Sequence, residues 1–534
     1  MAARWRITPY SLAQDDLSHM LNKVTSTLHR AATLARIAGA ARKVSAASGT
    51  ERVAARAFLA SLLGDARGVP MKVGQFLADC TEGDAFAPLT QSVEPIDIDQ
   101  IRIEIEIALG TGFQDAFASI ESTGIAASLG QVHRARLTSG EAVAVKVRYP
   151  DIVSAVEAEL RLARLMPGLG PVRTWGFDLE SYKRVLIEDL RAELDYRGEA
   201  LRQQSFRARM NVSGLVVPRV HPEWSAENLL VQDWEEGLPL ESILDWQESD
   251  RRQVGLILMS TLFQSLFHHG EIHGDPHSGN YRYRLGGAGK PEVILLDFGC
   301  TVPVSRESRL ALLKLILGAV DKDDTDPAAC FRAIGFDAEK LKPIAHLLPA
   351  LSGILLEPFT SPGPFQLQSW DLRRRVDHLL GDLKWWFRSA GPANLLLLLR
   401  AFRGLMMQLD TLRVSLPWLP VLLRVIGPEL ARDARGLVLT SLEGNGAQFG
   451  GFKALAQFLR VRVTENGKPV VALTYPANQA IFLRDLIPEE SIERIQAAGI
   501  DLAAIQSRVC ANGLRPEELF QYEEGGRNFR VWLE

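Results

Sequence analysis

Two textures alternate along the 534-residue chain. Apolar positions recurring every three to four residues predict helices, while β-branched runs and apolar–polar alternation predict strands. In the first 60 residues Leu21, Val24, Leu28, Leu34 and Ile37 keep helical spacing. Gln131–Leu137 and Ala142–Val147 flank Thr138-Ser-Gly-Glu141 and predict a hairpin. Helical spacing follows after Pro150 (Val153, Val156, Leu160, Leu165), and again over 179–210 and 250–269. Leu229–Gln232 and Val293–Leu296 read as short strands. From about 305 to 445 the pattern is helical and leucine-rich. Then Phe458–Val463 and Val470–Thr474 surround Asn466-Gly467, a strong short hairpin signal. A helix over 488–507 and a strand over 528–533 complete the reading.

Composition narrows the class. At 47% hydrophobic and 23% charged residues the chain is globular, which excludes a disordered or fibrous protein. Its length allows three to four domains or one large two-lobed enzyme. The net charge of −4 argues against a dedicated nucleic-acid binder. Cys80, Cys300, Cys330 and Cys510 lie far apart, so neither a cysteine zinc site nor a disulfide framework is indicated, and a reducing cytosol fits. The opening MAARWRITPYSLAQDD meets charge before any apolar core, unlike a signal peptide. Arg400 and Arg403 interrupt the leucine run after Leu395, and Pro417, Pro420 and Arg424 break Leu416–Ile426. Neither stretch reaches the ~20 apolar residues of a membrane span. Residues 1–60 hold nine Lys/Arg against three Asp/Glu. That basic amphipathic helix either packs on its own domain or makes peripheral contact with an anionic membrane.

Three chemical elements appear in order. Lys146 lies on the Val-Ala-Val-Lys strand, Asp275 and Asn280 share His-Gly-Asp-Pro-His-Ser-Gly-Asn, and Asp297 opens Asp-Phe-Gly. Phosphoryl transfer works by positioning and charge neutralisation and needs this set. The lysine grips nucleotide phosphates, Asn280 and Asp297 hold Mg²⁺, and Asp275 orients the attacking hydroxyl or water. Each motif alone recurs by chance; their order and spacing together carry the signal.

These motifs resemble the kinase-like superfamily. Within it, the chain resembles the ABC1/UbiB (AarF/ADCK) atypical kinases, a family tied to coenzyme Q biosynthesis. The resemblance rests on Lys72-Val-Gly-Gln75 (the KxGQ motif), Ala126-Ala-Ser-Leu-Gly-Gln-Val132 (the alanine-rich nucleotide loop) and Glu193-Leu-Asp195 (the ExD segment). It covers roughly residues 65–305. It implies that Ala126, Ala127, Ser128, Gly130, Val132 and Lys146 bind ATP or ADP. It also implies that Glu199, or Glu193, pairs with Lys146. Glu193 and Asp195 would face a lid formed by Lys72, Gly74 and Gln75. Alignment of Gly130 with the last glycine of GxGxxG puts Ala127 and Ile125 at the other two glycine positions. Their β-carbons hold the backbone off or move the nucleotide. Ile125 departs from the family's alanines.

Further residues read as architecture. His277 belongs to the loop framework, and His268, His269 and His273 sit at a helix end. Thr301–Ser305 runs straight into a helix near Arg306, leaving no platform for a peptide substrate. The fold expected is α+β: a two-lobed protein-kinase-like fold with an N-terminal helical extension (1–110), an N-lobe (111–235), a helical C-lobe (236–440) and a small α+β appendix (441–534). The activity expected is an Mg-ATP-dependent ATPase or small-molecule or lipid kinase, with no nucleic-acid partner. The rivals are an aminoglycoside- or choline-kinase-like phosphotransferase and a nucleotide-binding regulatory scaffold.

Overall fold

A computed structural model describes residues 96–441 and 451–534, apart from 128, 155, 158–175 and 288. Lys72, Gly74, Gln75, Ser128 and the basic helix of residues 1–60 lie outside the described residues.

The N-lobe is a twisted antiparallel sheet in the order β1 (Phe117–Ile120), β3 (Gly130–Leu137), β4 (Ala142–Arg148), β6 (Leu229–Asp233), with β2 (Ile125–Ala126) paired to β3. Alternation along β4 decides what each face does. Val143, Val145 and Val147 are fully buried against Phe117, Leu137, Leu229, Val231 and the Ile101 and Ile105 of helix α1 (Ile98–Leu109). Each such valine contributes about 1.5–3 kcal/mol relative to exposure. The same alternation turns Lys146, paired with Val132 and Leu230 on the neighbouring strands, to the opposite face.

The expected helix over 179–210 is two helices, α2 (Leu179–Leu194) and α3 (Tyr196–Arg209), because Asp195 adopts an extended conformation and caps the second. Its carboxylate accepts the Gly198 N–H at 3.0 Å. A β-carbon on residue 198 would come 2.6 Å from that carboxylate, so glycine is needed there. The break sets Glu199 in the first turn of α3, facing β4.

The C-lobe begins with α4 (Glu248–Phe263), which widens into a π-helical turn over Gln264–His269 and ends at Gly270, φ +65°. Strand β7 (Glu271–His273) pairs with β10 (Thr301–Pro303), and β8 (Tyr281–Leu285) with β9 (Pro291–Leu295). The short β5 (Leu215–Val216) runs parallel to β9. Helix α5 (Arg306–Asp321) follows β10 directly, its Ser305 cap accepting the Ser308 N–H. Short helices lead to α6 (Leu395–Leu412) and to α7 (Trp418–Gly436), interrupted at Gly427 before Pro428. Among the described residues no helix is long and apolar enough to cross a membrane.

Residues 458–533 form a sheet in the order β12 (Lys468–Pro476), β11 (Phe458–Glu465), β14 (Arg527–Leu533), β13 (Glu517–Glu524). The expected helix over 488–507 is α8 (Glu489–Ala497) and α9 (Leu502–Ala511). Gly499 turns at φ +82°, and Asp501 caps the second helix. One hydrophobic core joins this sheet to the helical lobe. A strand sheet carrying Lys146, a partner helix carrying Glu199 and a mainly helical lobe carrying the two loops make a two-lobed protein-kinase-like fold.

Candidate active site

Lys146 is the centre of the cleft. Its Nζ donates to both Glu199 oxygens at 2.9 Å and to Asp297 Oδ2 at 3.0 Å, and lies 4.9 Å from the Tyr196 ring centroid. Side-chain exposure is 16% for Lys146, 1% for Glu199 and 32% for Asp297. Burial alone would lower the Lys146 pKa, but the Asp297 and Glu199 carboxylates hold its ammonium well above the ordinary lysine value. Burial pushes Glu199 up, and so does the charge of Asp297, while Lys146 works against both. For Asp297 burial is outweighed by Lys146 and by the Gly299 N–H, donated to Oδ1 at 2.8 Å, so its carboxyl sits below the ordinary value. Of the two acids expected for Lys146, the structure brings Glu199. Glu193, at the end of α2, lies against Gly299 instead.

The segment Asp297-Phe-Gly299 is fixed from three sides. Phe298 is buried between Phe206 and His273, with ring centroids 5.0 and 5.5 Å away. The His273 Nε2 contacts the Asp297 carbonyl. Arg202, on α3, donates to the Phe298 carbonyl at 2.9 Å and to those of Ala192 and Gly299 at 3.1 Å. Gln203 donates to Gln232 at 2.5 Å, and Gln232 to the Leu296 carbonyl at 3.3 Å, tying α3 to β6 and to the residue just before Asp297.

The loop 273–280 is equally constrained. A β-carbon at Gly274 would overlap the Cys300 sulfur. The Asn280 side-chain N–H donates to the Asp275 carbonyl at 3.1 Å. Asp275, 14% exposed, meets Arg400 of α6 at 2.7 Å. Its charge is near enough to Asp297 to oppose that group's ionisation. Asp297 and Asn280 offer oxygen donors, the kind a hard divalent cation such as Mg²⁺ takes, although among the described residues no group of three or more His, Cys, Asp or Glu side chains is gathered for a metal ion.

In the expected nucleotide loop, Ile125 and Ala126 pair with Val132 and Gln131. The Ala127 N–H donates to the Gly130 carbonyl at 2.8 Å and so is turned into the hairpin. Gly130 is required by packing: a β-carbon there would overlap the Val147 carbonyl and come 2.5 Å from Tyr196 Oη. Asp195 is the α3 cap. Cys300 is buried, and burial followed by Asp189 pushes its thiol well up, so it is inert. Arg202, Gln203, Gln232, Tyr196 and Arg400 were invisible to motif reading. For Arg400 the available signal was polar or small residues at 400, 404 and 408 on one helix face.

A family model described as the ABC1 atypical kinase-like domain matches residues 88–329. The mitochondrial atypical kinase COQ8B of Rattus norvegicus is 27% identical over 330 residues, covering 59% of this chain and 61% of that protein. The probable protein kinase UbiB of Sodalis glossinidius is 28% identical over 275 residues, covering 47% and 49%. The chain spans about half to two thirds of the length of such curated relatives. Among solved structures, the Rv3197–erythromycin complex from Mycobacterium tuberculosis is 26% identical with a TM-score of 0.47, covering 69% of this chain and 95% of that one. The matched segment holds Lys146, Glu199, Asp275, Asn280 and Asp297 alike. Residues 88–329 match the ABC1 atypical kinase-like domain, and over that segment the chain is similar to proteins named ABC1, UbiB and COQ8.

Proposed function

We propose that the chain is an Mg-nucleotide-dependent phosphotransferase or ATPase acting on a small or lipid-like acceptor, or on water. The observation that carries this reading is the Lys146 ammonium held between Glu199 and Asp297. Glu199 orients the lysine from within the N-lobe, and Asp297 brings the metal-binding carboxylate from the other lobe to the same point. Lys146 would bind nucleotide phosphates, Asn280 and Asp297 would hold the metal, and Asp275 would orient the attacking oxygen. Bound Mg²⁺ supplies charge neutralisation at the phosphates. The passage from Asp297 through the three-residue β10 to α5 at Arg306 supports a small acceptor rather than a docked peptide. The alanine-rich loop and KxGQ segment extend the reading to a lid formed by Lys72, Gly74 and Gln75. Kinship with proteins named UbiB and COQ8 supports a place in quinone or isoprenoid-lipid metabolism.

The test is nucleotide hydrolysis and thermal stabilisation with ATP and ADP, with and without Mg²⁺, in wild type and Asp297→Asn. We expect Mg-dependent stabilisation and turnover in wild type and neither in the variant. Unchanged stabilisation in Asp297→Asn would overturn the metal assignment.

A further inference from the structure

The loop 273–280 provides no cation of its own. It reads His-Gly-Asp-Pro-His-Ser-Gly-Asn, whereas a protein-kinase loop sets an arginine directly before its aspartate. The nearest candidate, His277, is engaged by its own loop, since Nδ1 accepts the Gly279 N–H at 3.0 Å. Asp275 nevertheless meets a guanidinium. Arg400 Nη2 lies 2.7 Å from Asp275 Oδ1, and the Arg400 side chain is only 4% exposed. This arginine comes from α6, beyond residues 88–329 that match the family model.

We infer that Arg400 is the positioning residue for Asp275, supplying from α6 the cation that the loop lacks. The inference rests on the phosphoryl-transfer reading for its catalytic meaning. Burying an arginine within the run Leu-Leu-Leu-Leu-Leu-Arg-Ala-Phe-Arg-Gly is unfavourable unless a carboxylate meets it. Guanidinium suits the task because it stays charged, is weakly hydrated and presents a rigid planar fork. Arg400 Nη2 on Oδ1 restrains the orientation of the Asp275 carboxylate.

Two further contacts show that α6 is registered against the loop. Gly404, one turn after Arg400, packs on Pro276 so closely that a β-carbon there would overlap the proline ring. Gln408, one turn further and buried, accepts from Tyr283 Oη at 2.5 Å. Positions 400, 404 and 408 share one helix face. They touch, in order, the aspartate, the proline after it and the strand β8 that carries the loop away. Sliding α6 by one residue would break all three contacts, so the helix and the loop hold one register.

The test compares wild type with Arg400→Met, Arg400→Lys and Arg400→Ala in Mg-dependent ATP hydrolysis, with Mg-ATP affinity measured separately. Misplacing Asp275 in Arg400→Met should lower kcat about 100-fold while Mg-ATP affinity stays within about threefold, because Lys146 and Asp297 are untouched. Arg400→Lys should retain intermediate turnover. Guanidinium ion added to Arg400→Ala should restore turnover at a concentration where urea does not. A merely structural arginine would lose turnover, affinity and melting temperature together, with no rescue by guanidinium. Hydrogen exchange over residues 273–280 reads the loop without needing turnover. Exchange in Arg400→Met should quicken about tenfold there, with the β3–β4 amides unchanged. Absence of ATP hydrolysis in wild type would overturn the functional reading and leave exchange to decide the positioning claim. Wild-type exchange and wild-type kcat in a folded Arg400→Met would overturn that claim.

Discussion

Replacing Lys146 with methionine tests the charge arrangement of the cleft most directly. The thioether keeps much of the side-chain length over the Tyr196 ring but removes the ammonium that both acids share. The two carboxylates then fare differently. Asp297, 32% exposed, can be hydrated in place, whereas Glu199, 1% exposed, cannot. Glu199 escapes by taking up a proton. Starting from the ordinary glutamate value of 4.5, neutralising it at pH 7 costs at most (7 − 4.5) × 1.36, about 3.4 kcal/mol. Breaking a buried ion pair on one side typically costs roughly 3–5 kcal/mol, so protonation caps the loss near the lower end. The sign follows from burial: a carboxyl whose folded pKa is raised destabilises the fold increasingly as pH climbs above its unfolded value. At pH 5.5 the same arithmetic leaves about 1.4 kcal/mol. Chemical denaturation of wild type and Lys146→Met at both pH values should show the penalty shrinking on acidification. The double variant Lys146→Met/Glu199→Gln should recover most of it at pH 7. A loss independent of pH, with no recovery in the double variant, would refute the claim that Glu199 is the acid left stranded.

Two other expectations concern buried groups. Arg202→Ala removes three hydrogen bonds from one cation to the carbonyls of Ala192, Phe298 and Gly299. It should lower stability by about 2–3 kcal/mol in chemical denaturation, and a loss under about 0.5 kcal/mol would show that water replaces it freely. Cys300, Cys330 and Cys510 are buried, with Cys330 pushed up to about 12 and Cys510 to about 11 by burial. Iodoacetamide at pH 8 should label each at less than about a tenth of its rate in denatured protein, read site by site by mass spectrometry; fast native labelling of Cys300 would show that the segment after Gly299 opens.

What the sequence disclosed was local. The valines of β4 alternate, so the strand and the face taken by Lys146 could be read directly. Asn466 and Gly467 adopt φ of +49° and +79°, which is why that pair announces its hairpin. The partner of Lys146 could be narrowed only to Glu199 or Glu193, because choosing between them requires knowing that Asp195 ends one helix and caps the next. Strand β8, Tyr-Arg-Tyr-Arg-Leu, alternates too, but its arginines conceal it in a search for apolar runs. Acidic residues hide β13 in the same way. Arg400 shows the limit most clearly. In the sequence it interrupts a leucine run, and its meaning appears only when a helix 125 residues away in the chain closes on Asp275.

The core joining the helical lobe to the last sheet also governs the order in which the protein can be completed. Leu459, Val531 and Leu533 belong to the same buried cluster as Leu313, Leu348 and Leu351. Hydrogen bonds reinforce it: the Lys453 backbone N–H donates to the Asp323 carbonyl at 3.1 Å, and the Lys322 side-chain Nζ donates to the Gln457 amide oxygen at 2.5 Å. At a synthesis rate of roughly 5–20 residues per second, the interval between emergence of α5 and of β14 is about 10–40 s. Throughout that interval apolar surface of the helical lobe lies open, while the loops around Asp275 and Asp297 have already left the ribosome. Maturation of the cleft is therefore a late event in translation. Deletion of residues 458–533 would be felt as exposed core and recruitment of chaperones rather than as loss of a detachable module.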